Sequence, residues 1–181
     1  TVSGCALLVN SGGTDVALLQ LNTTPPEEYN VYYSGWDHST TPATSMTGIH
    51  HPRGDIKKSS RSDGGAVLDT YSGADCWRVS LWDAGTTEPG SSGSGLWNQN
   101  KQIVGQLFGG AANCDNSVND YYGRLDVSWP LLEPWLGATC GDTLGGWEAD
   151  EVVPIVFDAA ITSITNIAEL QCDEDTIAPA I

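Results

Sequence analysis

Basic residues are scarce in this sequence of 181 residues. Only 7 lysines and arginines stand against 23 aspartates and glutamates, which gives a formal net charge of −16. Nucleic acids and anionic membrane surfaces would repel such a chain, so neither is expected as a partner. No apolar run is long enough to span a bilayer, which excludes membrane insertion of this sequence. The negative charge would instead attract basic ligands.

A CxxC pair is also absent, which argues against a zinc site, and no metal site is predicted. The wide spacing of the cysteines favours disulfides in an oxidising, extracellular compartment. Their number is odd, so at least one lacks a partner within this sequence. Cys5 and Cys76 could pair with each other, and the remaining three cannot be assigned from spacing alone: Cys114, Cys140 and Cys172.

The sequence has neither an initiator methionine nor a signal peptide, and its first residues read as the middle of a domain. We therefore expect a fragment of a longer precursor.

Helical periodicity is rare, and strand patterns dominate. Short segments rich in β-branched and aromatic residues alternate with clusters of Gly, Pro, Asn and Asp. This pattern predicts an all-β barrel or sandwich and not βαβ units. The clearest helix pattern is PLLEPWLG (130–137), and strands are predicted for residues 14–22, 31–36, 77–82, 102–110 and 122–129.

The character of the sequence changes after about residue 138. Residues 139–156 are acidic and rich in glycine, which is typical of a linker. Residues 157–181 contain two strand-like pieces and then stop, as expected for the start of a truncated β module. The prediction is therefore a main domain over residues 1–138, a linker, and a second module.

The stretch TEPGSSGSGLW (87–97) raises the main functional question, because its serines and glycines allow two interpretations. It could be a flexible linker. It could also be a folded turn that exposes a nucleophilic serine, since such a serine needs a free hydroxyl and nearby backbone N–H groups. Strand-like sequences on both sides favour the folded turn.

Several motifs in one order resemble the lysyl endopeptidase branch of the chymotrypsin-fold serine proteases. They are TDVALLQLN, YYSGWD, IHHPRGDIKKSS, WDAGTTEPGSSGSGLWNQNKQIVGQLFGG and YYGRLDVSW, which together cover roughly residues 9 to 137. The resemblance implies a C-terminal six-stranded Greek-key barrel, preceded by the last strands of a first barrel. Residues 157–181 resemble the start of the immunoglobulin-like modules appended to secreted bacterial proteases.

The resemblance also implies catalytic roles. Ser92 would be the nucleophile, and the N–H groups of Gly90 and Ser92 would form the oxyanion hole. Asp15 would be the carboxylate that orients the catalytic histidine. The alternative for Asp15 is an ordinary turn residue. No cofactor is implied, because triad chemistry needs none.

The substrate-binding residues are assigned in the same way. Asp120 would lie at the base of the specificity pocket and pair with a substrate lysine, although a carboxylate also accepts arginine. Thr87 and Glu88 would line the pocket, and the backbone at Phe108 and Gly109 would pair with the substrate peptide. Members of this family can carry histidine where this sequence has Phe108, and Cys114 matches a family cysteine whose partner lies further upstream.

The catalytic histidine has no counterpart here. The fold's order is His, Asp, Ser, yet no histidine precedes Asp15. The three histidines, His38, His50 and His51, follow it, and packing or solvation explains them better than catalysis. The expected protein is thus a secreted serine endopeptidase fragment that cleaves after Lys or Arg and is inactive alone. The alternatives are a non-catalytic module that binds basic peptides and a structural or adhesive β protein.

Overall fold

A computed structural model describes residues 2–137 and 141–148. These residues form thirteen strands and one α-helix, so the predicted all-β fold is confirmed. The elements are β1 (Cys5–Ser11), β2 (Val16–Leu21), β3 (Tyr32–Tyr33), β4 (Gly35–Asp37), β5 (Met46–His50), β6 (Lys58–Ser62), β7 (Val67–Tyr71), β8 (Ala74–Leu81), β9 (Gly95–Trp97), β10 (Gln102–Gly110), β11 (Val118–Arg124), α1 (Leu125–Leu136), β12 (Thr143–Leu144) and β13 (Trp147–Glu148).

Six antiparallel strands form the predicted barrel. Their order in the sheet is β6-β5-β9-β10-β11-β8. Arg61 on β6 forms a bridge with Ala84, shortly after the end of β8, and this bridge brings the two ends of the sheet together. Because β8 and β9 follow each other in the chain but lie apart in the sheet, the connection between them crosses the end of the barrel. That connection carries the glycine–serine turn.

Alternation of side chains fills the barrel. In β8, for example, Cys76 and Trp77 are buried and Arg78 is only partly so, since a strongly twisted strand turns both faces inward at one end. The buried core cluster is made of Ala43, Met46, Ala66, Trp77, Val79, Trp82, Leu96, Val104, Leu107 and Tyr122.

A second, smaller core lies outside the barrel. The hairpin of β1 and β2 forms a separate two-stranded sheet. It contributes Val16 to a cluster with Trp36 on β4 and with the buried face of α1, which presents Leu125, Trp129 and Leu132. The spacing of these three residues, four and then three positions apart, is that of one helix face.

The helix begins earlier than predicted. Residues 122–129 were expected to form a strand, but β11 ends at Arg124 and α1 starts at Leu125. An ion pair between Arg124 and Asp126 holds this junction, and the Ser128 hydroxyl donates to the Arg124 carbonyl (3.1 Å). No helix in the described part of the chain is long and apolar enough to cross a membrane.

Residues 141–148 fall within the predicted linker. Here β12 pairs with β4, and β13 pairs with β3. The predicted β module at 157–181 lies outside the described residues, as do Cys140 and Cys172. Within the described ranges Cys5, Cys76 and Cys114 are free thiols, so the pairing of Cys5 with Cys76 that the sequence allowed is not formed.

Candidate active site

The glycine–serine stretch is a folded turn. Gly90 and Gly93 both have positive φ angles, +98° and +81°, which side chains rarely allow. Backbone hydrogen bonds tie the turn to β10: the Gly93 N–H donates to the Leu107 carbonyl, and the Leu107 N–H donates to the Ser94 carbonyl, each at 2.8 Å. Of the two interpretations that the sequence left open, the folded turn is therefore the one found.

The two serines of the turn differ in environment. Ser91 is buried, with 1% of its surface exposed, whereas Ser92 is exposed to solvent. Within the described residues, the N–H groups of Gly90 and Ser92 donate to no other protein group. An exposed hydroxyl beside two available N–H groups can serve an acyl-transfer nucleophile and its oxyanion.

Ser91 belongs to a buried polar chain. Its Oγ lies 2.9 Å from Nδ1 of His50 and accepts a hydrogen bond from the Glu88 N–H at 3.3 Å. The other ring nitrogen of His50, Nε2, lies 2.9 Å from Oγ of Ser60. Burial lowers the pKa of His50, against an opposing effect of the Asp120 carboxylate. His50 is therefore neutral at pH 7, and it is already engaged by two serines.

The other two histidines also have partners away from Ser92. Nδ1 of His51 lies 3.1 Å from the Asp55 carbonyl. The His38 ring stacks on Trp129, with centroids 3.9 Å apart. All three histidines of the sequence are thus placed, and within the described residues none forms a hydrogen bond with Ser92.

Asp15 lies in the turn between β1 and β2 and has a positive φ of 50°. Its backbone carbonyl accepts a hydrogen bond from Nε2 of Gln106 (3.1 Å), which ties the hairpin to β10. The side chain is half-buried, and burial raises the pKa of its carboxyl. In the described part of the chain no histidine binds this carboxylate.

Asp120 is a buried carboxylate near the start of β11. Its Oδ2 accepts two hydrogen bonds, from Nε1 of Trp82 at 2.7 Å and from Oγ1 of Thr87 at 2.5 Å. The Ala112 N–H also donates to this group. Burial raises the pKa of Asp120, and the donors oppose that effect in part. Three donors, two from side chains and one from the backbone, thus offset the burial of this carboxylate.

Thr87 and Glu88 connect Asp120 to the turn. The Thr87 side chain is buried against Asp120, while the carboxylate of Glu88 forms an ion pair with Arg53 at 3.2 Å. The Arg53 N–H donates to the Pro89 carbonyl at 2.8 Å. The loop that contains Arg53 therefore supports the turn from one side.

Phe108 and Gly109 lie at a bulge in β10. The register with β11 shifts between Leu107 and Gly109, so Phe108 has no partner on that side. Its ring meets Tyr71 edge to face, with centroids 5.2 Å apart. Among the described residues, no strand pairs with the opposite edge of β10 beyond Leu107, and this edge is open to an extended peptide.

The sequence did not reveal two contacts of the candidate site: the hydrogen bond from Trp82 to Asp120, and the contact of His50 with Ser91. Only the second of these contacts is indicated by a sequence pattern. Ser60 and Ser62 alternate with charged residues in KKSSRS, as expected of a strand whose inner face is polar. Once β5 and β6 are paired, Gly48 lies opposite Ser60. The position of His50, two residues after Gly48 on the same face of β5, can then be predicted.

Comparison with known families agrees with this geometry. A sequence profile described as "Lysyl endopeptidase, C-terminal domain" matches residues 1–123. The chain belongs to this family. The lysyl endopeptidase of Pseudomonas aeruginosa PAO1 is 40% identical over 129 residues, a match that covers 66% of the chain and 27% of the relative. The chain thus matches about a quarter of the length of that family member.

Solved protease structures were also found. The active form of the Rv3671c protease from M. tuberculosis has a TM-score of 0.49 at 19% identity, with 71% of this chain and 56% of that chain covered. The MamO protease domain from Magnetospirillum magneticum has a TM-score of 0.43 at 14% identity, with 68% and 64% covered.

Proposed function

We propose that this chain carries the nucleophile and the specificity pocket of a secreted serine endopeptidase that cleaves after lysine, with arginine as a second substrate. The observation that carries this proposal is the exposure of Ser92 between two glycines of positive φ, while its neighbour Ser91 is buried. Secretion is part of the proposal on the ground of the five widely spaced cysteines.

The proposed reaction is acyl transfer. A base takes the proton of Ser92 Oγ as this oxygen attacks the carbonyl carbon of the scissile bond, and the N–H groups of Gly90 and Ser92 stabilise the oxyanion. The proton then passes to the leaving amine, which departs and leaves an ester on Ser92. Water, activated by the same base, hydrolyses the ester and restores the serine.

Asp120 would bind the substrate's side chain. A lysine ammonium or an arginine guanidinium would supply the charge that this buried carboxylate lacks, whereas an uncharged side chain would leave it unpaired. The net charge of −16 also favours the approach of basic peptides. The open edge of β10 at Phe108 and Gly109 would hold the substrate backbone.

The base would come from outside this sequence. All three histidines are bound elsewhere, and Asp15 would orient an imidazole that the chain does not contain. Without a base the Ser92 hydroxyl keeps its high pKa, and at most a residual acceleration of about 10³-fold over water would remain. The 181-residue chain alone is therefore proposed to be inactive.

The test is covalent labelling of the full-length gene product with a fluorophosphonate probe. We expect the label on Ser92, its loss in Ser92→Ala, and its retention in the control variant Ser62→Ala, with only traces on the isolated 181-residue chain. Absence of label and of lysyl-ester hydrolysis in the full-length product would refute the protease proposal. Rapid hydrolysis by the isolated chain would refute the external base.

A second candidate is a non-catalytic module that binds basic peptides. It is favoured by one observation, the absence of any histidine bound to Ser92 in the described structure, and it uses the same Asp120 pocket. Retained binding of lysyl peptides together with no labelling of Ser92 would support this candidate over the protease.

A further inference from the structure

The turn that carries Ser92 is attached to the barrel wall from inside. Ser91 points away from solvent and meets His50 on β5, and His50 in turn meets Ser60 on β6, both at 2.9 Å. His50 and Ser91 lie 41 residues apart in sequence. Three separate parts of the chain, the turn and two paired strands, are therefore joined by one buried line of polar groups.

The hydrogen atoms along this line can be assigned from its ends. Ser91 Oγ already accepts the Glu88 N–H, so its own hydroxyl hydrogen is free to donate to Nδ1 of His50. A neutral imidazole that accepts at Nδ1 carries its proton on Nε2, which then donates to Ser60 Oγ. Protonation of Nδ1 would remove the only acceptor of a buried hydroxyl. The lowered pKa of His50 agrees with the neutral form.

The turn needs such an attachment because glycine gives it freedom. At Gly90 the backbone has a φ of +98°, and glycine can also adopt many other angles. Rotation of the Ser91–Ser92 peptide would turn the N–H group of Ser92 away from the position of an oxyanion. The N–H of Gly90 belongs to the Pro89–Gly90 peptide, whose carbonyl accepts from the Arg53 N–H at 2.8 Å. The Ser91 side chain is the one next to the Ser92 N–H, so its attachment restrains that group.

We propose that His50 is a positioning residue, which fixes the N–H group of Ser92 in its catalytic orientation beside that of Gly90 by holding the Ser91 hydroxyl. This inference rests on the proposed function. His50 does not touch the substrate or exchange its proton during the reaction. Its loss therefore affects stabilisation of the transition state, while the hydrogen bonds from Trp82 and Thr87 still hold Asp120.

The first experiment separates kcat from KM for a lysyl ester with the full-length gene product. His50→Ala should lower kcat by about 10- to 100-fold, below the effect of removing a whole oxyanion donor, with KM changed less than about 3-fold. His50→Asn can accept from Ser91 again and should restore most of kcat. Ser62→Ala, a buried serine of β6 outside the line, is the matched control and should keep wild-type kcat.

A double-mutant cycle tests the route through Ser91. If His50 acts by holding Ser91, the variant that combines His50→Ala with Ser91→Ala should have the same kcat as the slower of the two single variants. A kcat for His50→Ala within about 2-fold of wild type would overturn the proposal. Fully additive losses in the cycle would overturn it as well, because the two residues would then act independently.

A second measurement does not depend on activity. In the 181-residue chain labelled with ¹⁵N, the His50 ring should show the neutral tautomer with its proton on Nε2. The amide resonances of Gly90 and Ser92 should shift in His50→Ala and return towards wild type in His50→Asn. Unchanged amide resonances in a folded His50→Ala chain would overturn the proposal. If the wild-type full-length protein neither hydrolyses lysyl esters nor labels at Ser92, the proposed function fails, and this measurement still decides the positioning.

Discussion

Trp82 and Asp120 are joined by a buried hydrogen bond in which the indole Nε1–H donates to Oδ2 of the carboxylate at 2.7 Å. Thr87 donates to the same oxygen. Oδ2 of Asp120 is therefore occupied by hydrogen bonds from the protein itself, and the other carboxylate oxygen, Oδ1, lies towards Gly110. The carboxylate is held in place before any ligand arrives, which favours specific binding of a cation over adaptable binding.

The first prediction concerns charge at this position. Asp120→Asn in the full-length gene product should lower kcat/KM for a lysyl ester. The expected loss of transition-state stabilisation is about 2–4 kcal/mol, because a buried charge partner is lost. The norleucyl ester, which lacks the ammonium group, should lose much less. Asp115→Asn changes an exposed acid nearby and serves as the control. An equal loss for both esters would contradict a role of Asp120 in recognising charge.

The second prediction concerns Trp82. Trp82→Phe keeps most of the buried ring but removes the Nε1–H donor, so Asp120 loses one of its hydrogen bonds. We expect a loss of about 1–3 kcal/mol in the free energy of unfolding, measured by urea denaturation of the 181-residue chain. Trp135→Phe alters an exposed tryptophan and should change stability by less than about 0.5 kcal/mol. Similar values for the two variants would show that the Trp82 hydrogen bond contributes little.

The third prediction compares the two glycines of the turn. An alanine at Gly90 would suffer an unfavourable φ and would place its Cβ 3.2 Å from the Arg53 nitrogen. At Gly93 only the φ is unfavourable, because nothing lies within 4 Å. Gly90→Ala should therefore destabilise the chain by about 1–3 kcal/mol, and Gly93→Ala by less. Urea denaturation measures both, and a larger loss at Gly93 would contradict the packing of the turn on the Arg53 loop.

The fourth prediction follows from the lowered pKa of His50, on which the Asp120 carboxylate and the His51 ring also act, in opposite directions. Below pH 6.5, which is the usual pKa of histidine, His50 is protonated in the unfolded chain but still neutral in the folded chain. The free energy of unfolding should therefore fall with decreasing pH, from about pH 6.5 down to the folded pKa, by at most about 1.4 kcal/mol per pH unit.

His50→Asn removes this contribution, so the difference in stability between wild type and variant should shrink as the pH falls from 7 to 5. Urea midpoints at the two pH values measure it. Burial raises the pKa values of Asp15 and Asp120, which therefore act in the opposite direction at lower pH. The contribution of Asp15 is common to both proteins, whereas His50→Asn also removes the smallest of the effects that lower the pKa of Asp120. A difference that stays constant with pH would contradict a neutral His50 in the folded chain.

Local patterns predicted the strands well where side chains alternate. The strand over residues 102–110 was predicted with the bounds that the structure shows, because it contains β-branched and aromatic residues and two glycines mark its end. The start of α1 was misread, since Leu125, Val127 and Trp129 also alternate as in a strand. The burial of Leu125 and Trp129 depends on contacts with Val16 and Trp36, which lie about a hundred residues earlier in the sequence.

For the candidate site, the sequence indicated which residues matter but not which pairs they form. The turn around Ser92 could be predicted from its glycines and flanking strands, whereas the proposed role of Asp120 rests on the resemblance. The contact between His50 and Ser91 depends on how β5, β9 and β10 are ordered in the barrel, and no local pattern encodes that order. His50, which packing explained best at the level of the sequence, contacts both Ser91 in the turn and Ser60 on β6.

The barrel is closed by only a few backbone bonds at one seam. Arg61 exchanges bonds of 2.8 and 3.1 Å with Ala84, and it accepts a further one from the Asp83 N–H. The junction of β5 with β9 is almost as short, with two residue pairs, so the seam and this junction are the shortest ladders of the barrel. Ser60, the far end of the His50 line, immediately precedes Arg61 in the chain. A transient gap at the seam would thus loosen the support of the reactive turn before the rest of the barrel unfolds, and the working lifetime of the site would be shorter than that of the fold.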